Sequence, residues 1–256
     1  MLRDYVVDAA QVPWKSSQTE GITFRCQVLL SGSDGGPEAL RLQFDPCLSV
    51  YAHMHLTSQF QVLLGGVMDM PRGSLTMRPV AVHYTDHNVP YGPFAVTEGH
   101  DMLVLHPKQG GLVSMASPTA RRQIHLGGRL LTGLDAEREW LPLPGYDGCR
   151  CKLLIPRVSG PEALIVECPP DTQLALEAPV YGRYEVVLKG SVLVGGQSLG
   201  PPGFRYVQGD ETTLSMVSGP AGATLLYLTF DQDALEGGLT GEGIAVDAAE
   251  ALASAI

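Results

Sequence analysis

Two histidines separated by one residue begin the stretch of the sequence with the clearest potential for chemistry. His53 and His55 are followed by Gln59 and, after six more residues, by Gly66. Alternate side chains of a β-strand share a face, so His53 and His55 point to the same side. Two imidazoles placed in this way suit one divalent metal ion, and a turn before Gln59 would bring its amide oxygen toward the same ion.

Two more polar residues continue the same alternation. Tyr51 and Gln61 share the facing of His53 and Gln59. Apolar residues occupy the alternate positions of the histidine strand, so the pattern does not indicate a strand with one face in solvent. We therefore expect the polar side chains to line an enclosed cavity, in which Tyr51 and Gln61 bind the substrate or ligand.

The spacing from His53 to Gly66 resembles the first signature of the cupin superfamily in every position but one. Cupins usually have Glu where this chain has Gln59. Their second signature typically runs Pro-x-Gly-x-x-His, and the corresponding stretch here is 86–91. Tyr91 stands where the metal-binding histidine of that signature would be, so we expect it to give or take a proton during catalysis.

The resemblance implies one divalent transition metal, Fe, Mn, Ni or Zn, held by His53, His55 and Gln59. A Gln in place of Glu removes a negative charge, although its amide oxygen can still coordinate a metal. The fourth ligand stays open among these candidates: His83, His87, Tyr91 or water. The alternative is a cupin fold whose metal site has degenerated.

The chain repeats itself over about half its length. Residues 82–106 align with residues 204–228 without a gap, and residues 61–66 match residues 185–190. Both copies consist of short apolar runs broken by Gly and Pro, which is typical of β-strands and turns. The sequence therefore predicts an all-β protein of two tandem jelly-roll β-barrels with a short C-terminal helix, and in this it resembles a bicupin.

The two copies differ in their capacity for chemistry. All seven histidines precede residue 126. When Gly66 is aligned with Gly190, Arg183 falls opposite Gln59, and the second copy has no histidine pair. We expect metal and activity in the first barrel alone.

The repeat also predicts the domain boundaries. Residues 1–112 would form the first cupin domain with an N-terminal extension, and residues 113–150 a linker. Residues 151–232 would form the second cupin domain, and residues 233–256 a tail. The Ala-rich stretch from Ile244 to Ile256 is the predicted helix of this tail.

Composition limits the partners that the protein can have. The chain has 256 residues and a net charge of −10; residues 1–128 carry 10 acidic and 9 basic residues, whereas residues 129–256 carry 17 and 8. Such an acidic surface repels nucleic acid.

No apolar run reaches the roughly 18 residues of a membrane span, and the five cysteines are scattered, so we expect a cytoplasmic protein. Strands that are apolar on both faces lead us to expect a homodimer.

Function is predicted from the first barrel. The leading hypothesis is a metal-dependent enzyme acting on a small organic molecule, of the lyase or isomerase type or the dioxygenase type. Small cupin hydroxynitrile lyases resemble this chain in pairing two such histidines with a Gln, which favours the lyase or isomerase alternative. The second hypothesis is a metal-free protein that binds a small ligand, and the third is a purely structural duplicate.

Overall fold

The computed structural model describes residues 5–19, 21–70, 74–176, 180–208 and 215–236, and β-strands dominate these segments. In the first half the strands are β1 (Tyr5–Val7), β2 (Lys15–Thr19), β3 (Ile22–Ser31), β4 (Glu38–Phe44), β5 (Leu48–Val50), β6 (His53–His55), β7 (Gln59–Asp69), β8 (Thr76–Met77), β9 (Ala81–Thr85), β10 (Phe94–His106) and β11 (Leu112–Ser114).

In the second half the strands are β12 (Leu130–Leu134), β13 (Leu141–Pro142), β14 (Arg150–Ile155), β15 (Glu162–Cys168), β16 (Gln173–Leu174), β17 (Arg183–Val194), β18 (Gln197–Leu199), β19 (Phe204–Val207) and β20 (Met216–Thr229). Helical segments are short: α1 (Gln232–Glu236) and the 3-10 turns Ala9–Gln11, Ser33–Gly35, Ala120–Arg122, Asp135–Glu137 and Arg157–Ser159. No helix within these described segments is long and apolar enough to span a membrane.

The described residues divide into two compact units. The first unit comprises residues 13–134 with residues 233–236, and the second comprises residues 5–12 with residues 135–232. The sheet of the first unit has the antiparallel order β12-β9-β7-β10-β4-β3-β2, with β5 paired to β10 and β8 paired to β7. Strands β6 and β11 form a separate two-stranded sheet.

The second unit repeats this strand order. Its sheet runs β1-β19-β17-β20-β15-β14-β13, with β18 paired to β17 and β16 paired to β20. Strands β17, β20 and β19 therefore hold the places of β7, β10 and β9. The prediction of an all-β, jelly-roll fold is confirmed.

The alignment of the two copies is wrong by one residue in the last long strand. Gln61 pairs with Val104, and its counterpart Glu185 pairs with Tyr227. An alignment without a gap places Leu226, not Tyr227, opposite Val104. The β10 and β20 ladders carry their bulges at different points, which accounts for the extra residue. Because a slip of one residue exchanges the two faces of a strand, Tyr227 takes the facing of Val104.

The two glycines that anchor the alignment are equivalent in structure as well. Gly66 and Gly190 both have a positive φ, +79° and +70°. A Cβ at Gly66 would collide with the carbonyl of Gly99, and one at Gly190 with the carbonyl of Gly222. Each glycine is required by both its backbone conformation and the close approach of the neighbouring strand.

Several segments lie differently from the predicted domain plan. The stretch 113–150, expected to be a linker, contains β12, which pairs with β9 of the first unit, and β13, which pairs with β14 of the second. The N-terminal extension, expected with the first domain, supplies β1 to β19 of the second unit. Hydrogen bonding at sheet edges thus recruits strands from outside each repeat. The helix predicted at Ile244–Ile256 lies outside the described residues.

Candidate active site of the first unit

Strand β6 brings the histidine pair beside Tyr91. His53 donates its backbone N–H to the Tyr91 carbonyl at 3.1 Å, and Tyr91 donates its own to the His53 carbonyl at 2.9 Å. On its other edge β6 pairs with β11, where Met54 lies opposite Val113 and packs with it in a small buried cluster. The alternation then turns the His53 and His55 side chains to the other face, as the sequence predicts.

The Tyr91 hydroxyl lies at the centre of a buried polar cluster. Its oxygen is 2.8 Å from His53 Nε2, 2.9 Å from Gln59 Nε2 and 2.7 Å from Gln61 Nε2. His53, Gln59, Gln61 and Tyr91 are each at least nine-tenths buried. Four residues predicted for metal binding, substrate binding and catalysis therefore meet at one atom; we call them the Tyr91 network.

Hydrogen bonding fixes the donor and acceptor roles within the network. His53 Nδ1 lies 2.8 Å from the Tyr51 carbonyl, which can only accept, so Nδ1 carries the hydrogen of the neutral ring. His53 Nε2 is then an acceptor, and the Tyr91 hydroxyl donates to it. The Tyr91 oxygen accepts one N–H each from Gln59 and Gln61, which fills the capacity of a hydroxyl group.

Burial keeps the network uncharged. It raises the pKa of Tyr91 far above its ordinary value, although the amide hydrogen bonds from Gln59 and Gln61 oppose the shift. It also lowers the pKa of His53, with the Tyr51 carbonyl acting in the opposite direction. A neutral phenol and a neutral imidazole are the resting forms.

His55 lies between the network and His106. The His55 ring centroid lies 5.3 Å from that of His53 and 5.4 Å from that of His106. Burial lowers the pKa of His55 well below its usual range, and the two neighbouring histidines lower it further. His106 Nδ1 lies 3.0 Å from Thr57 Oγ1, and burial lowers the pKa of His106 to about 4.

These groups face a cavity of about 480 Å³ within the first unit. Its polar lining includes Tyr51, His53, His55, Gln61, Tyr91 and His106. Its apolar lining includes Phe24, Leu40, Leu42, Phe44, Phe94 and Val104. A cavity of this size and character suits a small organic molecule with an apolar body.

Glu38 also lines the cavity, and the sequence analysis did not identify it. Its Oε2 accepts the Gly110 N–H at 3.1 Å and lies 3.7 Å from His106 Nε2. Burial raises the pKa of Glu38 to about 7, and the Gly110 hydrogen bond works against this shift. The sequence did carry a signal, because Glu38 begins an alternating run with Leu40 and Leu42 and so shares their facing.

The other histidines have different surroundings. His83 Nδ1 lies 2.8 Å from Thr132 Oγ1, and its ring lies 5.7 Å from the Tyr91 ring. His87 stacks on His125 at 4.6 Å and donates its backbone N–H to Ser58 Oγ at 3.0 Å. Of the two candidate histidine ligands, His83 is the one whose ring packs beside Tyr91.

His100 and His106 lie within a long strand rather than in turns. Both are buried within β10, at 2% and 1% exposure. His100 packs edge-on against Phe44 at 5.4 Å, and His106 lines the cavity. The strand continues through both positions because β10 pairs with β4 along this whole length.

As arranged here, the residues predicted to hold a divalent ion do not fit one. His53 Nε2 accepts a hydrogen bond from the Tyr91 hydroxyl, so its lone pair is not free for a metal. The Gln59 side chain points its N–H, rather than its carbonyl oxygen, toward the same hydroxyl. A phenol with a raised pKa is a poor ligand. Among the residues that the structure describes, no group of three or more His, Cys, Asp or Glu is placed to hold a metal ion.

The equivalent positions of the second unit hold charged groups instead. Arg183 and Glu185 replace Gln59 and Gln61, and Arg205 pairs with Glu185 across the sheet. Glu185 lies 2.7 Å from Arg183 Nη2 and 2.5 Å from Arg205 Nη2. All three are buried. This ion-paired cluster occupies the interior where the first unit has its neutral polar network.

Comparison with known proteins identifies the fold. The sequence matches no protein-family model and no curated protein. Among solved structures, a Nostoc punctiforme protein provisionally named a dioxygenase is 13% identical, with a TM-score of 0.69 over 94% of this chain and 88% of that one. Oxalate decarboxylase from Bacillus subtilis is 12% identical, with a TM-score of 0.59 over 88% and 76% of the two chains. An 11S allergen from Cocos nucifera is 8% identical, with a TM-score of 0.61 over 90% of each chain.

These neighbours are cupin-fold proteins, and the chain shares their fold. At such low identities the likeness concerns the fold alone, and it includes both proteins named as enzymes and one named as an allergen. Function has to be argued from the cavity and the groups that face it.

Proposed function

We propose that the first unit is an enzyme that binds a small organic molecule in its cavity and moves a proton on it through Tyr91. The observation that carries this proposal is the Tyr91 hydroxyl, held by one acceptor and two donors beside a largely apolar cavity. Buried titratable groups in a cavity are typical of catalytic sites.

The proton step follows from the roles within the network. Gln61 lines the cavity with Tyr91. A substrate hydroxyl or activated C–H beside Tyr91 would displace the Gln61 N–H from the Tyr91 oxygen and transfer its proton there, while the Tyr91 proton passes to His53 Nε2. His53 then becomes an imidazolium whose Nδ1–H stays bonded to the Tyr51 carbonyl, and the substrate becomes the anion. Proton removal of this kind begins many lyase and isomerase reactions.

The predicted metal ion remains a separate proposal that requires rearrangement. His53, His55 and Gln59 would hold it, and when bound it would act as a Lewis acid on the substrate. The Tyr91 hydroxyl would first have to leave His53 Nε2, and the Gln59 amide would have to turn over. Elemental analysis of protein purified without chelators tests this directly. One equivalent of Fe, Mn, Ni or Zn, lost in the variant His53→Ala with His55→Ala, would support it.

The cavity is tested by a ligand screen. Small organic molecules would be screened by ligand-observed NMR against the wild type and against Val104→Trp, which fills the cavity beside Gln61. We expect hits that Val104→Trp abolishes. Val158→Trp, at a residue 94% exposed in the second unit, is the matched control and should retain them. Hits that persist in Val104→Trp would show that the ligand site lies elsewhere.

A further inference from the structure

We infer that the cavity takes an uncharged, largely apolar molecule carrying a hydroxyl or another hydrogen-bond donor, and that Glu38 sets this preference. The inference rests on the proposed function, because it concerns the substrate class of the same cavity. It also separates this site from any that takes a small carboxylate anion.

The first argument is the charge of the lining. None of the described residues that line the cavity is Arg or Lys, and Glu38 is the acidic residue among them. His53 lines it as a neutral ring, because its Nδ1 donates to the Tyr51 carbonyl and its Nε2 accepts from the Tyr91 hydroxyl. An anion would leave water without meeting an opposite charge, and that is strongly unfavourable.

The second argument is the pattern of donors and acceptors. Because His53 Nε2 carries no hydrogen, the Tyr91 hydroxyl donates its hydrogen to that nitrogen. The Tyr91 oxygen can then only accept a hydrogen bond from Gln61, so the Gln61 amide points its N–H toward Tyr91. Gln61 Oε1 is then left buried, with no hydrogen-bond partner among the described residues. Because Gln61 lines the cavity, a turn of its amide would present this oxygen to a ligand that donates a hydrogen bond, whereas a carboxylate, which only accepts, would not satisfy it.

The third argument is Glu38 itself. Burial raises the pKa of Glu38 to about 7, so its charge changes near neutral pH. The titratable groups that face it are His106 on β10 and Cys26 on β3. Burial lowers the pKa of His106 to about 4 and raises the pKa of Cys26 to about 11, so both stay neutral between pH 6 and pH 8. When ionised, Glu38 can accept a hydrogen bond from the hydroxyl of a ligand, and it repels the carboxylate of one.

Matched ligands test the inference. Phenylalkanols with chains of two to four carbons would be compared by calorimetry with the phenylalkanoates of equal length at pH 8. We expect the alcohols to bind at least about tenfold more tightly, equivalent to about 1.4 kcal/mol. Glu38→Gln should bring the ratio to within about threefold, whereas Glu98→Gln, at an exposed residue of β10, should leave it unchanged. Equal or tighter binding of the carboxylates to the wild type would overturn the inference.

A second measurement covers a Glu38→Gln variant that does not fold. On lowering the pH of the wild type from 8 to 6, carboxylate binding should strengthen several-fold, whereas alcohol binding should not strengthen, because the neutral Glu38 is a weaker acceptor. If the ratio of alcohol affinity to carboxylate affinity did not change between pH 8 and pH 6, Glu38 would not be the group that sets the preference. Failure of the proposed function gives a different result, because alcohol binding would then survive Val104→Trp or be absent for every chain length.

Discussion

At the scale of single residues, the site depends on the hydroxyl of Tyr91. Alternation placed His53, Gln59 and Gln61 on one face, and the resemblance to cupins placed Tyr91 near them; the structure brings all four together. The sequence could not reveal that the Tyr91 hydroxyl forms hydrogen bonds with the side chains predicted to bind a metal. The spacing of residues predicts which side chains share a face of a strand, but it does not predict the distances between their atoms. Glu38 went unnoticed since a single charge beginning an apolar run carries a weak signal.

Tyr91→Phe tests the hydrogen bonds of the network. The variant keeps the ring but leaves the Gln59 and Gln61 amides and His53 Nε2 without their shared partner. Buried groups left unpaired in this way cost about 1 to 3 kcal/mol of stability, and we expect a loss in that range from urea unfolding. Turnover of a substrate, once identified, should fall about 10²-fold or more.

Tyr5→Phe is the control for this substitution, since it removes a phenol hydroxyl from β1 in the second unit. It should change stability by less than about 0.5 kcal/mol and leave turnover intact. If Tyr91→Phe turned over substrate at the wild-type rate across pH, Tyr91 would be a packing residue.

At the scale of elements, the strand order of both units follows from the repeat, but the edges do not. Alternation and turn residues predicted β7, β9 and β10 well, because their hydrophobic pattern reports burial directly. The edge strands β1 and β12 lie outside the repeat. Their pairing with β19 and β9 depends on which unpaired backbone each sheet leaves open, and a sequence pattern does not contain that information.

Gly66 and Gly190 provide a test of the close approach between neighbouring strands that occurs in both units. Gly66→Ala and Gly190→Ala should each destabilise their unit by more than about 2 kcal/mol, because a positive φ and a collision with backbone act together. Gly21→Ala is the matched control: its φ is +83°, yet a Cβ there meets nothing within 4 Å. It should cost only about 1 kcal/mol. Equal losses at Gly21 and Gly66 in urea unfolding would refute the close approach.

At the scale of the whole molecule, the buried histidines make stability depend on pH. Burial lowers the pKa of each of these five: His53, His55, His83, His100 and His106. The unfolded chain takes up protons below about pH 6.5, whereas the folded protein resists protonation, for three of the five down to about pH 4. The stability that these groups provide is therefore present above pH 6.5 and lost as the pH falls toward 4. Glu38 acts in the opposite sense, since its raised pKa removes stability as the pH rises through 7.

We expect the free energy of unfolding to fall by about 2 kcal/mol or more between pH 7 and pH 5. His100→Leu removes one of these groups away from the Tyr91 network, and it should make the dependence shallower. Urea unfolding at several pH values measures the slope. A stability that stays constant or rises on acidification would contradict the buried, neutral state of these rings.

Assembly is a second prediction at this scale. Leu153 and Leu193 are large apolar side chains in the strands of the second unit that remain at least 40% exposed. Exposed apolar side chains on sheets favour association, so we predict a homodimer. Sedimentation velocity at micromolar concentration should give a mass of two chains, and a Leu153→Lys, Leu193→Lys variant should shift it toward one. A monomeric wild type would contradict the prediction.

The binding of a small molecule against the Tyr91 network is the central claim, and calorimetric titration of a cavity ligand tests it most directly. The ligand would be titrated into protein dialysed against a chelator and into untreated protein, with Val104→Trp alongside. We predict the same Kd in both preparations and no binding to Val104→Trp. Binding that disappears with the chelator and returns with Fe, Mn, Ni or Zn would contradict the claim, and so would undiminished binding to Val104→Trp.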